Sequence, residues 1–212
     1  MNRRMGPAFA RTLAAVGLSS SLWSGTPVLA GDVSDISRLL TRAPLVCGAF
    51  TQSKTLKALT RPLVSTGRVV FVSGTGVLWQ ITSPFPSQVL VKKDALIRWD
   101  SANMPKRSGF GQTPQFRALS DVFFAVFAGD TSRLDTSFET TSNIEANRWS
   151  LDLVPRDKAF ASQIAKIYVS GATFVDELRI TEGQGDRTDI RFDGLAADGC
   201  VLSAAEKSSL AH

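Results

Sequence analysis

The chain has 212 residues, of which 43% are hydrophobic and 20% are charged, and its formal net charge is +5. Three of its 24 basic residues and none of its 19 acidic residues lie within residues 1–30, so the remainder of the chain carries only +2. The basic residues of this remainder are dispersed, and the only adjacent pairs are Lys92-Lys93 and Lys106-Arg107. This distribution argues against a nucleic-acid-binding protein, in which basic residues are concentrated on one surface.

Residues 1–30 have the three parts of a secretory signal. Arg3, Arg4 and Arg11 make the start basic, an apolar stretch follows at residues 12–22, and Pro27-Val28-Leu29-Ala30 resembles a signal peptidase site. The apolar stretch is too short to span a bilayer. We therefore expect residues 1–30 to be cleaved and residues 31–212 to form a single domain in the periplasm.

The two cysteines, Cys47 and Cys200, predict one disulfide, because an even pair in an exported protein is normally oxidised. Closing so long a loop would stabilise the fold by about 4–5 kcal/mol in the chain-entropy model. A redox or metal site is the alternative, but the sequence provides no further residues that would act as redox partners or metal ligands of these cysteines. The chain contains no Cys-x-x-Cys, and its single histidine is the last residue, His212.

The first half of the domain predicts one helix followed by strands. The helix covers residues 32–40, where apolar residues fall at helical spacing. From Phe50 the apolar residues alternate with polar ones, which is typical of strands separated by short turns. The predicted strands cover residues 50–59, 62–72, 77–81, 88–91 and 95–99.

The second half begins with the longest predicted helix, residues 113–128, in which Phe116, Leu119, Phe123 and Phe127 share one face. Five more strands are predicted at residues 134–140, 149–154, 164–169, 174–181 and 188–192. Ser203 and Glu206 then form a capping-box pattern, which predicts a short C-terminal helix. About ten strands with hairpin-length gaps favour an α+β domain with an antiparallel sheet.

Sequence signatures of enzymes are missing. There is no Gly-x-Ser-x-Gly motif, no histidine other than the terminal His212 to act as a general base, and no His/Cys cluster with metal-ligand spacing. We therefore expect no catalytic residues, no metal and no cofactor.

Large apolar residues recur at every second position on the first group of strands. Val69 and Phe71 alternate in this way along one strand, and Val77, Trp79 and Ile81 do so along the next. On the next two strands the pattern continues with Val89 and Val91, and with Ile97 and Trp99. Alternation alone does not separate a filled core from a ligand cavity.

The order of several short motifs resembles the LolA-like family of periplasmic carriers, which transport lipoproteins to the outer membrane. These motifs are Gly48-Ala49-Phe50-Thr51-Gln52, Gly67 in the next strand, Trp79, Pro84, and the hairpin at residues 89–99. The order of predicted elements agrees over nearly all of residues 32–195, including the middle helix.

The resemblance implies an open antiparallel half-barrel with helices forming a lid over an apolar cavity that accepts acyl chains. It also turns the alternating apolar residues into candidates for the cavity wall. The predicted lipid-binding residues are Val69, Phe71, Val77, Trp79, Val89, Val91, Ile97 and Trp99 from the sheet, and Phe123 and Phe127 from the lid.

One departure from the family concerns an Arg-Pro-Gly-like triplet, whose arginine holds the lid closed in the lipoprotein carriers. Aligned on Trp79, the corresponding positions here are Ser73, Gly74 and Thr75. Arg61-Pro62 lies about one strand earlier and does not replace the triplet. The chain therefore resembles a divergent branch that moves other envelope lipids.

The resemblance implies a monomeric carrier that takes acyl chains of a lipoprotein or glycolipid from an inner-membrane donor complex to an outer-membrane acceptor. The alternative is a regulatory domain that senses lipid or unfolded protein in the periplasm. Regulators of this kind usually carry a second domain, for which residues 31–212 leave no room.

The signal pattern predicts that the exported protein begins at Gly31. Cleavage after Ala30 follows from the small residues at the end of the apolar stretch. N-terminal sequencing of the protein from a periplasmic fraction tests this, and an intact Met1 would contradict it.

Overall fold

The computed structural model of the protein describes residues 33–100, 102–108 and 113–212. The predicted signal segment therefore lies outside the described residues. The described strands are β1 (Leu45–Thr55), β2 (Leu63–Val72), β3 (Gly76–Ser83), β4 (Ser87–Val91), β5 (Leu96–Trp99), β6 (Pro105–Ser108), β7 (Phe138–Glu145), β8 (Arg148–Pro155), β9 (Ile164–Gly171), β10 (Val175–Glu182) and β11 (Arg187–Ala196). The described helices are α1 (Val33–Leu39), α2 (Pro114–Ala128), α3 (Leu134–Ser137), α4 (Lys158–Gln163) and α5 (Ala204–Leu210).

These strands form one antiparallel sheet in the order β6-β5-β4-β3-β2-β1-β11-β10-β9-β8-β7. Strand β1 joins the two halves because it pairs with β2 on one side and with β11 on the other. The sheet is open, since β6 and β7 are its two edges. The predicted α+β class and open antiparallel half-barrel are confirmed, with eleven strands among the described residues where about ten were expected.

Three short elements differ from the prediction. Residues 134–137 form the helical turn α3 where a strand was expected, and β7 begins only at Phe138. Helix α4 was missed, although Asp157 caps it by accepting a hydrogen bond from the Phe160 N–H at 2.7 Å. Strand β6 was also missed because it is polar and starts with Pro105, which is tolerated at the start of an edge strand.

Helix α2 has the boundaries that the sequence predicts. The Thr113 hydroxyl accepts a hydrogen bond from the Phe116 N–H at 3.2 Å, and Gly129 ends the helix in the left-handed conformation with φ of 66°. Glycine adopts this conformation without steric cost. Most of the second half of the helix is buried, from Val122 to Phe127 with the exception of Phe123.

The sheet has an apolar layer on each face. The inner face, which includes Phe50, Val69 and Phe71, packs with α1 and α2 in the main core. The outer face has a smaller core. Its buried members are Cys47, Val70, Leu78, Leu90 and Ile97, with Leu202 and Leu210 packed against them.

Helix α5 is fastened to the outer face by polar and covalent contacts. Its capping box is formed as predicted, and the buried Glu206 carboxylate also accepts a hydrogen bond from Arg68 Nε at 2.8 Å. Burial opposes ionisation of this carboxyl, but hydrogen bonds from the Ser203 N–H and Arg68 lower the pKa of Glu206 below its ordinary value. The predicted disulfide joins Cys47 to Cys200, with Cα atoms 5.7 Å apart.

Replacing both cysteines, Cys47→Ser with Cys200→Ser, should lower the melting temperature by several degrees. The bond closes a loop with a sequence separation of 153 residues, and each kcal/mol lost shifts the melting temperature by about 2–4 °C in a domain of this size. Reductant should lower the melting temperature of the wild type and leave that of the double variant unchanged. Two free thiols in the denatured, unreduced wild type would contradict the pairing.

Candidate functional site

A cluster of aromatic rings connects the inner face of the sheet to α2. Trp79 stacks on Phe50 with ring centroids 3.9 Å apart and meets Phe123 of α2 edge-on at 6.1 Å. Phe127, one helical turn further along α2, lies 5.6 Å from Phe192 and 6.3 Å from Phe71. The lid and the sheet therefore meet through apolar contacts, which have no directional requirement.

Gly67 makes the stacking of Phe50 on Trp79 possible. Gly67 pairs with Phe50 on one side and with Ile81 on the other. A Cβ atom at this position would lie 2.6 Å from the Phe50 ring and would also collide with the Gln80 carbonyl oxygen. The missing side chain thus leaves the space in which the Phe50 ring lies flat against β2.

A pocket of about 360 Å³ lies between α2 and strands β4 to β6. This volume is within the range of small-molecule sites, about 300–1,000 Å³. The pocket is mainly apolar, and Arg98 is the charged side chain on its wall. Its lining residues are Val91, Leu96, Arg98, Ser108, Phe116, Leu119, Ser120 and Phe123.

Phe123 connects this pocket with the aromatic cluster. It lines the pocket, contacts Trp79, and stacks with Phe127 at 6.4 Å between ring centroids. Phe123 and Trp79 are only partly buried, so both rings present apolar surface that the core does not fill. The arrangement can bind an apolar chain beside α2.

Eight of the ten predicted cavity residues lie together on the inner face or on α2. Five are buried in the main core, namely Val69, Phe71, Val77, Val91 and Phe127. Three are partly buried against it, namely Trp79, Val89 and Phe123. Of these eight residues, Val91 and Phe123 line the pocket beside α2.

The other two, Ile97 and Trp99, lie on the outer face, and their placement on the inner face was wrong. Ile97 is paired with Leu90, whose side chain belongs to the outer core. Leu96, the neighbour of Ile97, lines the pocket instead. The error comes from the register across the β4–β5 turn, where a shift of one residue moves every side chain to the other face.

Sequence reasoning missed several residues of the site. Phe50 was noticed as part of a motif but not as a cavity residue, and Phe192 and Leu119 were not included. Phe50 could have been found, because it is an aromatic residue opposite a glycine on the neighbouring strand. Phe192 contacts Trp79 from β11, a strand that the linear pattern does not connect with β3.

The C-terminal end of α2 is held by a lysine from the β4–β5 turn. Lys93 Nζ lies 5.6 Å from the centroid of the Phe124 ring and 3.9 Å from Asp130 Oδ2. The Ser132 hydroxyl, which donates to Asp130, and the nearby Lys93 lower the pKa of the Asp130 carboxyl. In addition, the Ser120 hydroxyl donates to the Lys92 carbonyl oxygen at 3.1 Å.

Across residues 33–100, 102–108 and 113–212, no group of three or more His, Cys, Asp or Glu side chains could hold a metal ion. No helix in these same ranges is both long enough and apolar enough to cross a membrane.

The sequence model of a family described as "Outer membrane lipoprotein carrier protein LolA-like" matches residues 25–212. The chain belongs to this family. LolA-like proteins are binding and carrier proteins and not known enzymes. No curated protein matches this LolA-like chain in a sequence search.

Solved structures with a similar fold are distant from this LolA-like chain. A LolA superfamily protein from Nitrosomonas europaea is 10% identical, with a TM-score of 0.45 over 80% of this chain and 93% of the other. A lipoprotein-sorting protein domain from Vibrio parahaemolyticus is 12% identical, with a TM-score of 0.47 over 85% and 97%. The MucA/MucB complex of Pseudomonas aeruginosa gives 15% identity and a TM-score of 0.45 over 85% of this chain and 60% of the other.

Substituting Gly67→Ala should destabilise the LolA-like fold, because the new methyl group collides with the Phe50 ring and displaces Trp79. We expect a loss of about 1–3 kcal/mol, as for other overpacked sites, and a change in tryptophan emission. Thr66→Ala is the matched control, since it introduces the same side chain at the adjacent exposed position. Equal melting temperatures and spectra for the two variants would contradict the role of Gly67.

Proposed function

We propose that the protein is a periplasmic carrier that binds acyl chains of lipoproteins or other envelope lipids beside α2 and delivers them towards the outer membrane. The observation that carries the proposal is the apolar pocket of about 360 Å³ under α2, which is lined by the partly buried Phe123 ring. This ring in turn contacts Trp79. Membership of the LolA-like family supports it.

Acyl binding at this site requires apolar area more than directed polar contacts. Burying apolar surface yields about 25 cal/mol per Å², so a few hundred Å² of an acyl chain would provide useful affinity. Because α2 contacts the sheet mainly through aromatic rings, an acyl chain can take the place of some of these contacts without leaving polar groups unpaired. This exchange is the basis of the proposed loading step.

Within this class of cargo, the proposal favours a free envelope lipid, such as a glycolipid or a polyene ester, over a lipoprotein. The support is the turn between β2 and β3, where Ser73, Gly74 and Thr75 stand in place of the family's arginine triplet. The proposal includes removal of residues 1–30 on export and a single domain at residues 31–212. It also includes an inner-membrane donor complex and an outer-membrane acceptor as partners.

A long-chain fatty acid should change the tryptophan emission of protein purified from the periplasm. Trp79 is the tryptophan that contacts Phe123 of the pocket wall, so Trp79→Phe should remove most of this change. Trp99→Phe makes the same chemical substitution on the outer face and should retain the change. Fluorescence titration of the three proteins provides the measurement.

The binding itself is tested at Phe123. Phe123→Asp should abolish binding of a radiolabelled fatty acid, because an unpaired charge would face an apolar wall. Phe123→Leu keeps an apolar side chain and should retain binding. A wild-type protein that binds no acyl ligand would contradict the proposed function and leave the fold assignment intact.

A further inference from the structure

Exposed apolar side chains are concentrated at one end of the sheet. Seven large apolar side chains are exposed among the described residues. Two of them, Val154 and Val201, lie in β8 and next to Cys200. The other five lie in or beside the turns β1–β2, β3–β4 and β5–β6, and they are Leu59, Leu63, Val64, Phe85 and Met104.

These three turns lie at the same end because β1 to β6 are consecutive antiparallel neighbours, so every second connection returns to the same end. The connections at the opposite end, residues 73–75 and 92–95, expose no large apolar side chain within the described ranges. We call the end formed by residues 56–64, 84–86 and 102–104 the apolar end. The asymmetry between the two ends is not required by the fold.

Phe85 is the most exposed of these side chains. It lies between Pro84 and Pro86 at the tip of the β3–β4 hairpin, and 82% of its surface is exposed. Met104, two strands away in the sheet, is 59% exposed. Single exposed apolar residues are common on protein surfaces, but a group of them at one site is typical of an interaction surface.

The charged residues of the apolar end are predominantly basic. Lys57 and Arg61 are exposed in the β1–β2 connection, which contains no acidic residue. At the β5–β6 turn the Asp100 carboxylate lies 2.9 Å from Lys106 Nζ, so this ion pair adds no net charge. The β10–β11 turn lies at the same end of the sheet and adds Asp186, which accepts a hydrogen bond from the Lys57 N–H at 2.9 Å. Within the apolar end itself the charged side chains are Lys57 and Arg61, so the basic charge lies beside the exposed apolar side chains.

We propose that the apolar end docks on the surface of an anionic lipid bilayer. Phe85, Met104 and the apolar residues of the β1–β2 hairpin enter the boundary between headgroups and acyl chains. Lys57 and Arg61 face the phosphate groups of the lipids. Projecting apolar tips with a basic flank are the combination that interfacial binding requires. This docking is independent of what the pocket under α2 carries.

Vesicle flotation tests the proposal with protein purified from the periplasm. The protein should float with vesicles of phosphatidylcholine and phosphatidylglycerol and bind vesicles of phosphatidylcholine alone more weakly. Phe85→Ser should lower the partition coefficient about tenfold, the change expected when one buried aromatic side chain is lost. Lys57→Gln and Arg61→Gln should each lower it about fivefold on the anionic vesicles.

Val201→Ser is the matched control, because Val201 is similarly exposed but lies away from the apolar end. It should bind vesicles as the wild type does. The proposal is overturned if the wild type binds neither vesicle type, which is the result expected if the apolar end binds a protein partner. It is also overturned if Val201→Ser and Phe85→Ser weaken vesicle binding equally. Phe85→Ser should retain the fatty-acid response of Trp79, which separates a failure of docking from a failure of the proposed carrier function.

Discussion

Strands β1 to β5 carry large apolar side chains on both faces, so each face of this part of the sheet must be shielded from water. Helix α2 covers the inner face, where Phe123 and Phe127 meet Trp79 and Phe71. Helix α5 packs on the outer face beside Leu78 and Leu90. Each helix thus shields one of the two apolar faces of the same sheet from water. The two helices are held in place by different kinds of contact.

The contacts of α5 are directional, whereas those of α2 are mainly apolar. The segment before α5 is joined to β1 by the Cys47–Cys200 bond, and Glu206 accepts a partly buried, charge-assisted hydrogen bond from Arg68. Moving α5 would break the hydrogen bond from Arg68 to Glu206, whereas the Ser203 N–H would move with the helix and stay paired with the carboxylate. Moving α2 would expose aromatic surface that an apolar ligand could cover again. The outer face is therefore the fixed support, and the inner face is the one suited to exchange of contacts.

Local patterns were sufficient to predict most of the architecture. Period-two alternation, the N-cap at Thr113, Gly129 and the capping box at Ser203 are short-range signals, and the structure contains each of them. The site was predicted less well, because it depends on which strands become neighbours and in what register. Ile97 was assigned to the wrong face because the β4–β5 turn pairs it with Leu90 and not with Val91. A difference of one residue in register moves a side chain to the opposite face of the sheet. Phe192 was missed because the pairing of β1 with β11 joins segments far apart in sequence.

The contacts at the C-terminal end of α2 show which interactions hold this helix on the sheet. Ser73, Gly74 and Thr75 offer no cation to α2. Charged contacts at the C-terminal end of the helix come instead from Lys93 in the neighbouring β4–β5 turn and from Arg42, which donates to the Gly129 carbonyl oxygen at 3.4 Å. The Lys93 side chain is 64% exposed and its ammonium lies 3.9 Å from Asp130, so the ion pair contributes no more than about 1 kcal/mol. Burial of a single phenylalanine contributes about 1.5–3 kcal/mol. The closed position of α2 is therefore determined by Phe123, Phe127 and the rings they meet, and a ligand that competes with those rings acts directly on the closure of the lid.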